Sequence, residues 1–301
     1  MIKCLENLYP ISKFNYWFKP TNDPAILKVM YLDNANEIGT YNTITKESDC
    51  LAISNALQND AEMYLNRPEA LVGTKVINNQ PIDQINMNKL VDGYNSLLAG
   101  AILGRSKKTA DAESTAVKRI ESTINWLAST DFYRAPASTI YHDACAAGLL
   151  YHSLKVYDNI VDLYKLDIFY NKVDLFSATL VALTHDWCKI NLYSTELRNR
   201  KIPGTNEWTQ VEVYTRDQKG VPLGHGTSSM FLTNRCVPLS VEESLAIRWH
   251  MGNYNSCPTE SFELENANEN YPLVRMLQFA DQLACVKYWR QNLIYFCSEY
   301  F

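Results

Sequence analysis

The sequence predicts a mainly helical protein, a bundle of at least five helices with an inserted β-hairpin, preceded by a smaller α+β domain. Three observations predict it. Through most of residues 115–301 apolar residues recur at spacings of three and four, the period of a helix with one buried face. An alternating run near Trp208–Tyr214 interrupts that pattern. The first hundred residues instead carry short strand-like runs punctuated by glycine and proline. At 301 residues the chain exceeds a typical single domain and has ample apolar content for a core. The expected divisions are an N-terminal domain over 1–104, a linker over 105–114 and the helical domain over 115–301.

In the N-terminal part, Tyr9–Pro20 mixes Phe14, Tyr16, Trp17 and Phe18 with Lys13 and Lys19. Aromatics interleaved with lysines can stack bases and hold phosphates; the plainer reading is a core strand and turn. Lys28–Leu32 and Thr74–Ile77 read as strands, and Leu90–Leu103 as a helix. The polar stretch from Gly104 to about Ala112 has no apolar periodicity and reads as linker.

Beyond it, Val117, Ile120, Ile124 and Leu127 mark one face of a helix over Thr115–Ser129. A second stripe, Leu149, His152, Val156, Ile160 and Leu163, places His152 on a face that packing should bury. A third, Leu175, Ala178, Ala182 and His185, lies on a helix read from Asp174 to Lys189. A lone histidine on such a face is commonly a hydrogen-bonded core residue. Two buried faces each presenting one point to a shared partner. A β-hairpin is expected within Arg200–Leu223, with Pro203-Gly204 before its alternating run and a turn at Asp217–Gly220. His225 then sits between two glycines that let the backbone approach a ligand closely. Ser240 and Glu243 form a capping box for a helix reaching His250, and a last helix starts at Pro272. That helix carries Asp281 on an apolar face, where a carboxylate needs a cation or donors, whether an ion or a neighbouring Arg or Lys. The apolar tail Leu293–Phe301 is expected to dock.

The net charge of −5 and pI near 5.6 argue against a wide basic surface for duplex nucleic acid. Eight scattered cysteines without a C-x-x-C, and no signal peptide, read as reduced thiols of a cytoplasmic protein. The longest apolar stretches, Ser96–Gly104 and Leu175–Leu183, fall short of the roughly 18 residues that span a bilayer, so no membrane association is expected.

Candidate chemistry centres on L-V-A-L-T-H-D-W-C-K, Leu180–Lys189. With His152 and Asp281, the His185-Asp186 pair gives two imidazoles and two carboxylates from three helices. That mixed N/O set suits Mn²⁺, Fe²⁺, Mg²⁺ or Zn²⁺ in an open, catalytic arrangement. These stretches resemble the HD superfamily of metal-dependent phosphohydrolases over roughly Phe132 to Arg290. G-L-L-Y-H-S-L-K-V resembles the family's first-histidine helix, L-T-H-D-W-C-K its His-Asp signature with a downstream Lys, and F-A-D-Q-L its closing Asp.

The resemblance implies a metal-dependent phosphohydrolase with one or two ions, His225 and His250 holding the second and Asp186 bridging. The sequence departs from the family at His250-Met251, where two-metal members have a His-His doublet, and at Cys188, where Gly is common. Asp186 and Lys189 are the expected catalytic residues. Lys189 could contact a substrate phosphate or be a solvated helix-end cation. Arg248 and the hydroxyls of Thr227, Ser228 and Ser229 are further phosphate candidates. His142 resembles a histidine ahead of the first-ligand helix in exonuclease-like members and is expected to touch substrate. The expected substrate is a nucleotide or related small phosphate ester. Alternatives are a 3′–5′ exonuclease on single-stranded RNA or DNA, and a catalytically silent module for signalling or partner binding. Self-association stays open.

Overall fold

The computed structural model describes residues 16–20, 26–31, 37–42, 72–78, 80–109, 113–202, 204–217, 221–254 and 260–285. Most of Tyr9–Pro20, and all of the tail Leu293–Phe301, lie outside them. The protein is mainly helical. Near the N-terminus, β1 (Tyr16–Pro20), β2 (Ile26–Tyr31) and β3 (Glu37–Asn42) pair in chain order as an antiparallel sheet, with a register irregularity between Val29 and Met30.

The run Thr74–Ile77 is not a strand. The carboxylate of Asp158 explains its shape, because it accepts the backbone N–H groups of Val76, Ile77 and Asn78 at 2.7, 3.1 and 2.9 Å. Donors gathered on one buried side chain are not free to join a ladder. This curled segment is thereby tied to the first-histidine helix.

Helix α1 runs from Met87 to Thr109, through the stretch read as linker. Tertiary contacts override the polar sequence there. A Cβ on Gly104 would lie 2.3 Å from the Phe176 ring, so this glycine permits close helix packing rather than a flexible joint. Next to it, Arg105 binds the buried Glu243, and Lys108 pairs with Asp174. The boundary expected at 104 therefore falls inside a helix belonging to the core. Helix α2 (Glu113–Ala128) follows, burying Ala116, Ile120 and Leu127 on the expected face.

Two further helices and a 3₁₀ turn frame the centre. α3 (Gly148–Leu163) is buried along most of its length. α4 (Leu175–Thr184) is capped by Asp174, whose side chain accepts from the Ser177 amide at 3.1 Å. It is shorter than expected, and the shortening matters. His185 closes the last turn, Asp186 leaves helical geometry at φ −108° and ψ 16°, and Trp187–Lys189 form one 3₁₀ turn. Neighbouring residues on an unbroken helix point in different directions. The break lets His185 and Asp186 address the same point. Trp187 anchors it from below, its indole N–H donating to Tyr94 Oη at 3.0 Å while Tyr94 donates to Leu183 O at 2.8 Å.

The hairpin comprises β4 (Tyr193–Lys201) and β5 (Trp208–Arg216), pairing Tyr193 with Arg216 and Lys201 with Trp208. It begins earlier than expected and turns near Gly204 rather than at Asp217–Gly220. β4 is exposed at nearly every position, so no burial alternation marked it in the sequence.

Helix α5 (His225–Cys236) and helix α6 (Val241–Trp249) follow, the second starting with the expected Ser240–Glu243 capping box. α7 (Ser261–Asn270) precedes α8 (Pro272–Cys285), which buries Leu273, Val274, Met276, Leu277 and Asp281 on one side. Among the described residues, no helix is long and apolar enough to cross a membrane.

Candidate metal centre

Four electron-pair donors meet where α3, the end of α4 and α8 converge. His152 Nε2 lies 3.3 Å from His185 Nε2, 3.5 Å from Asp186 Oδ2 and 3.0 Å from Asp281 Oδ1. His185 Nε2 lies 3.4 Å from Asp186 Oδ2 and 3.8 Å from Asp281 Oδ1. All four side chains are buried. Ligands about 2.1 Å from one ion stand about 3.4 Å apart in a tetrahedron and about 3.0 Å apart at the right angles of an octahedron. The observed edges run from 3.0 to 3.8 Å, at those spacings or a few tenths of an ångström beyond them, so these groups can hold a divalent cation.

Hydrogen bonding sharpens the point. His185 Nδ1 lies 2.8 Å from Ala182 O, and an acceptor there fixes the ring proton on Nδ1 and leaves Nε2 a lone pair. The two imidazole Nε2 atoms stand 3.3 Å apart and His152 Nε2 is 3.0 Å from Asp281 Oδ1, so either a proton on His152 Nε2 or a cation can bridge them. Both carboxylates have partners that favour their charged form. Burial works against charge on Asp186, yet the Lys189 ammonium and His185 hold its carboxyl well below the usual range. Asp281 is likewise held low against its burial, by His152 first. Burial opposes a proton on His185, but Asp186 outweighs it and raises that pKa, whereas burial prevails at His152 and lowers it.

A second group shares Asp186. Its other oxygen, Oδ1, lies 2.8 Å from His225 Nε2 and 3.8 Å from His250 Nε2. His250 Nδ1 is 2.6 Å from Ile247 O, the same arrangement as in His185, while its Nε2 is buried without a hydrogen-bond partner. Burial, then repulsion from His185 and His225, pushes the His250 pKa down to about 3, so the ring is a neutral donor. His225 is different. Burial would lower it, but Asp186 and Cys188 outweigh that and raise it to about 10. His225 opens α5, and α5 reaches α6 because of Gly226, where a Cβ would lie 2.1 Å from Arg248 O. The glycine expected to admit a ligand admits a neighbouring helix instead. Overlapping sets, among them His152/His185/Asp186, His185/His250/Asp281 and Asp186/Cys188/His225, have ligand atoms within 4.8 Å of one another.

No protein-family model matches this chain, and neither does any curated protein or solved structure.

The remaining candidates separate into those at the cluster and those engaged elsewhere. Lys189 is buried with its ammonium 2.7 Å from Asp186 Oδ2, and the attraction of Asp186 raises its pKa despite burial. It is not a solvated helix-end cation. His142 stacks beside His152 at 4.6 Å between ring centres, its Nδ1 3.5 Å from Cys285 Sγ. Burial and the charge of His152 press its pKa down to about 4. Ser228 donates to Val221 O at 2.7 Å, and Ser229 accepts the Cys188 amide at 3.1 Å. Arg248 binds Thr227 and, at 2.6 Å, Glu260, and lies over the Trp249 ring. Their polar groups serve the frame around His225 and His250.

Three neighbours were given no role from the sequence, Cys188 being noted there only as a departure from the family's Gly. Asp143 Oδ2 lies 3.8 Å behind His152 Nδ1 and binds Lys155 at 3.0 Å. Cys285 sits 4.0 Å from Asp281 Oδ1, its thiol pushed up to about 12 by burial and by Asp281. Cys188 contacts His225. The signals were present for two of them: Cys285 lies one helical turn beyond Asp281, and Cys188 stands inside the His-Asp stretch.

Proposed function

We propose that this chain is a metal-dependent phosphohydrolase of the HD type, cleaving a phosphate ester of a nucleotide or related small phosphate. The observation that carries the reading is the convergence of His152, His185, Asp186 and Asp281, acceptors from three parts of the fold, in the order His, His-Asp, Asp. A divalent ion in that set supplies Lewis acidity, lowers the pKa of a water and neutralises phosphoryl charge.

The chain's own residues supply the rest. His185 and His250 have their Nδ1 protons committed to carbonyl oxygens, so both present Nε2 inward. Lys189 keeps Asp186 ionised and holds positive charge at the edge of the cluster, where a phosphoryl oxygen can meet it. His142, neutral and beside His152, is placed to accept or donate a hydrogen bond to substrate through Nε2, which is buried without a partner.

The test is hydrolysis by metal-supplemented protein on a panel of nucleotides and a labelled single-stranded RNA, with Asp186→Ala as control. Turnover of nucleotides that the substitution abolishes supports the reading. Metal-loaded protein that leaves every phosphate ester intact overturns it and favours a binding module. A ladder of shortened RNA favours a 3′–5′ exonuclease, a reading supported by the position of His142, whose resemblance is to exonuclease-like members.

A further inference from the structure

We propose that Cys188 is a positioning residue for His225: its sulfur accepts the Nδ1 proton and thereby turns Nε2 toward Asp186 and a second cation. The inference rests on the metal-dependent reading above and concerns how its second site is held.

Four imidazoles lie within 3.8 Å of Asp186, and the three of them at helix ends, His185, His225 and His250, are not held alike. His185 and His250 each end a helix, so each has a carbonyl three residues back within reach of Nδ1, at 2.8 and 2.6 Å. His225 begins α5, and no helical turn precedes it. That local solution is closed to it. The partner comes instead from the 3₁₀ turn after the His185-Asp186 pair, where Cys188 Sγ lies 3.2 Å from His225 Nδ1.

Each nitrogen of the ring has its own neighbour. Nε2 is 2.8 Å from Asp186 Oδ1 but 3.9 Å from the sulfur, so the thiol addresses Nδ1 and the carboxylate addresses Nε2. With Nε2 donating its lone pair to a cation, the proton resides on Nδ1 and sulfur is its acceptor. A second tie fixes the distance: the Cys188 amide donates to Ser229 Oγ, on α5 one turn past His225. Nearby, His250 Nε2 is fully buried with no partner and lies 3.8 Å from the same carboxylate oxygen, which marks the space between His225 and His250 as the place where a ligand is needed. A small apolar or absent side chain at 188 leaves the His225 ring free to rotate away from that space.

The experiment uses the full chain, stripped by chelator and titrated with Mn²⁺ and, for spectroscopy, Co²⁺. Wild type, Cys188→Ala, Cys188→Ser and His225→Ala are compared after thermal melts establish that each is folded. Two binding steps are expected in wild type. Cys188→Ala weakens the second about tenfold while leaving the first within about twofold, as loss of a partner behind a ligating histidine does. Cys188→Ser, which keeps an acceptor, restores most of it, and serves as the comparison with wild type if the alanine variant does not fold. His225→Ala removes the second step. Equal second-step affinities in wild type and Cys188→Ala overturn the proposal while leaving the metal-dependent reading intact. So does a sulfur-to-cobalt charge-transfer band that Cys188→Ala abolishes, since Cys188 is then a ligand. Absence of any binding by wild type overturns both.

Discussion

The two halves of the cluster share Asp186 and are built on different principles. His152, His185 and Asp281 come from α3, the end of α4 and α8, whose apolar faces form the core, and all three are buried. His225 is half-buried at the start of α5 and relies on a thiol and on a glycine contact to stand opposite His250. A donor set held by packed helices keeps its geometry without a ligand, since moving it means disturbing the core. A donor at a helix start, held by side chains, has less to resist displacement. The first half should therefore bind an ion more tightly, and the second should decide how the site responds to substitution and pH.

The largest effect expected is that of Asp186→Asn, which touches both halves. Metal analysis should find both equivalents lost, and hydrolysis should fall more than about 10³-fold, toward the uncatalysed rate. Retention of one ion would mean the halves do not share this carboxylate. Next come His152→Ala and His250→Ala as a pair. The first should remove the tighter binding step, and the second should remove only the weaker one, lowering kcat about 10–100-fold. Equal losses would erase the distinction.

The pH dependence separates the halves further. Imidazoles must shed protons to bind a cation. His225, raised to about 10, carries its extra proton at neutral pH before metal binds, whereas His250, lowered to about 3, does not; His185 is shifted upward as well. Metal affinity in the second step should therefore rise with pH. Calorimetry in buffers of differing ionisation heat should show proton release in that step. Binding without proton release would contradict the charge distribution described.

A smaller effect is expected from Gly226→Ala. The added methyl meets Arg248 O, so α5 must shift from α6, at a cost of about 1–3 kcal/mol visible in a thermal melt. The second binding step should weaken more than the first. The smallest effect belongs to Trp208→Ala on the exposed end of the hairpin, expected to change stability by less than about 0.5 kcal/mol. Weaker capture of single-stranded RNA by that variant would favour the exonuclease reading.

The periodic helices were legible because a buried face repeats: α2, α3 and α8 lie close to where Ile120, His152 and Leu277 indicated. So was the convergence of His152, His185, Asp186 and Asp281, since polar groups on apolar stripes must meet company in the core. The sheath around them was not. Gly104 and Arg105 read as linker because their partners, Phe176 and Glu243, are distant in sequence. The first strand of the hairpin has no buried face to leave a pattern. Ser228 and Arg248 looked like free polar groups until Val221 and Glu260 were seen to occupy them.

By itself the sequence determined the helical class and the capping box at Ser240, which depend on neighbours within a few residues, and the order of imidazoles and carboxylates along the chain. Tertiary structure alone decided where α4 breaks to align His185 with Asp186, which nitrogen each histidine presents, and that Cys188 stands behind His225. Those follow from contacts between segments far apart in the chain, where direction and distance, not residue order, set the chemistry.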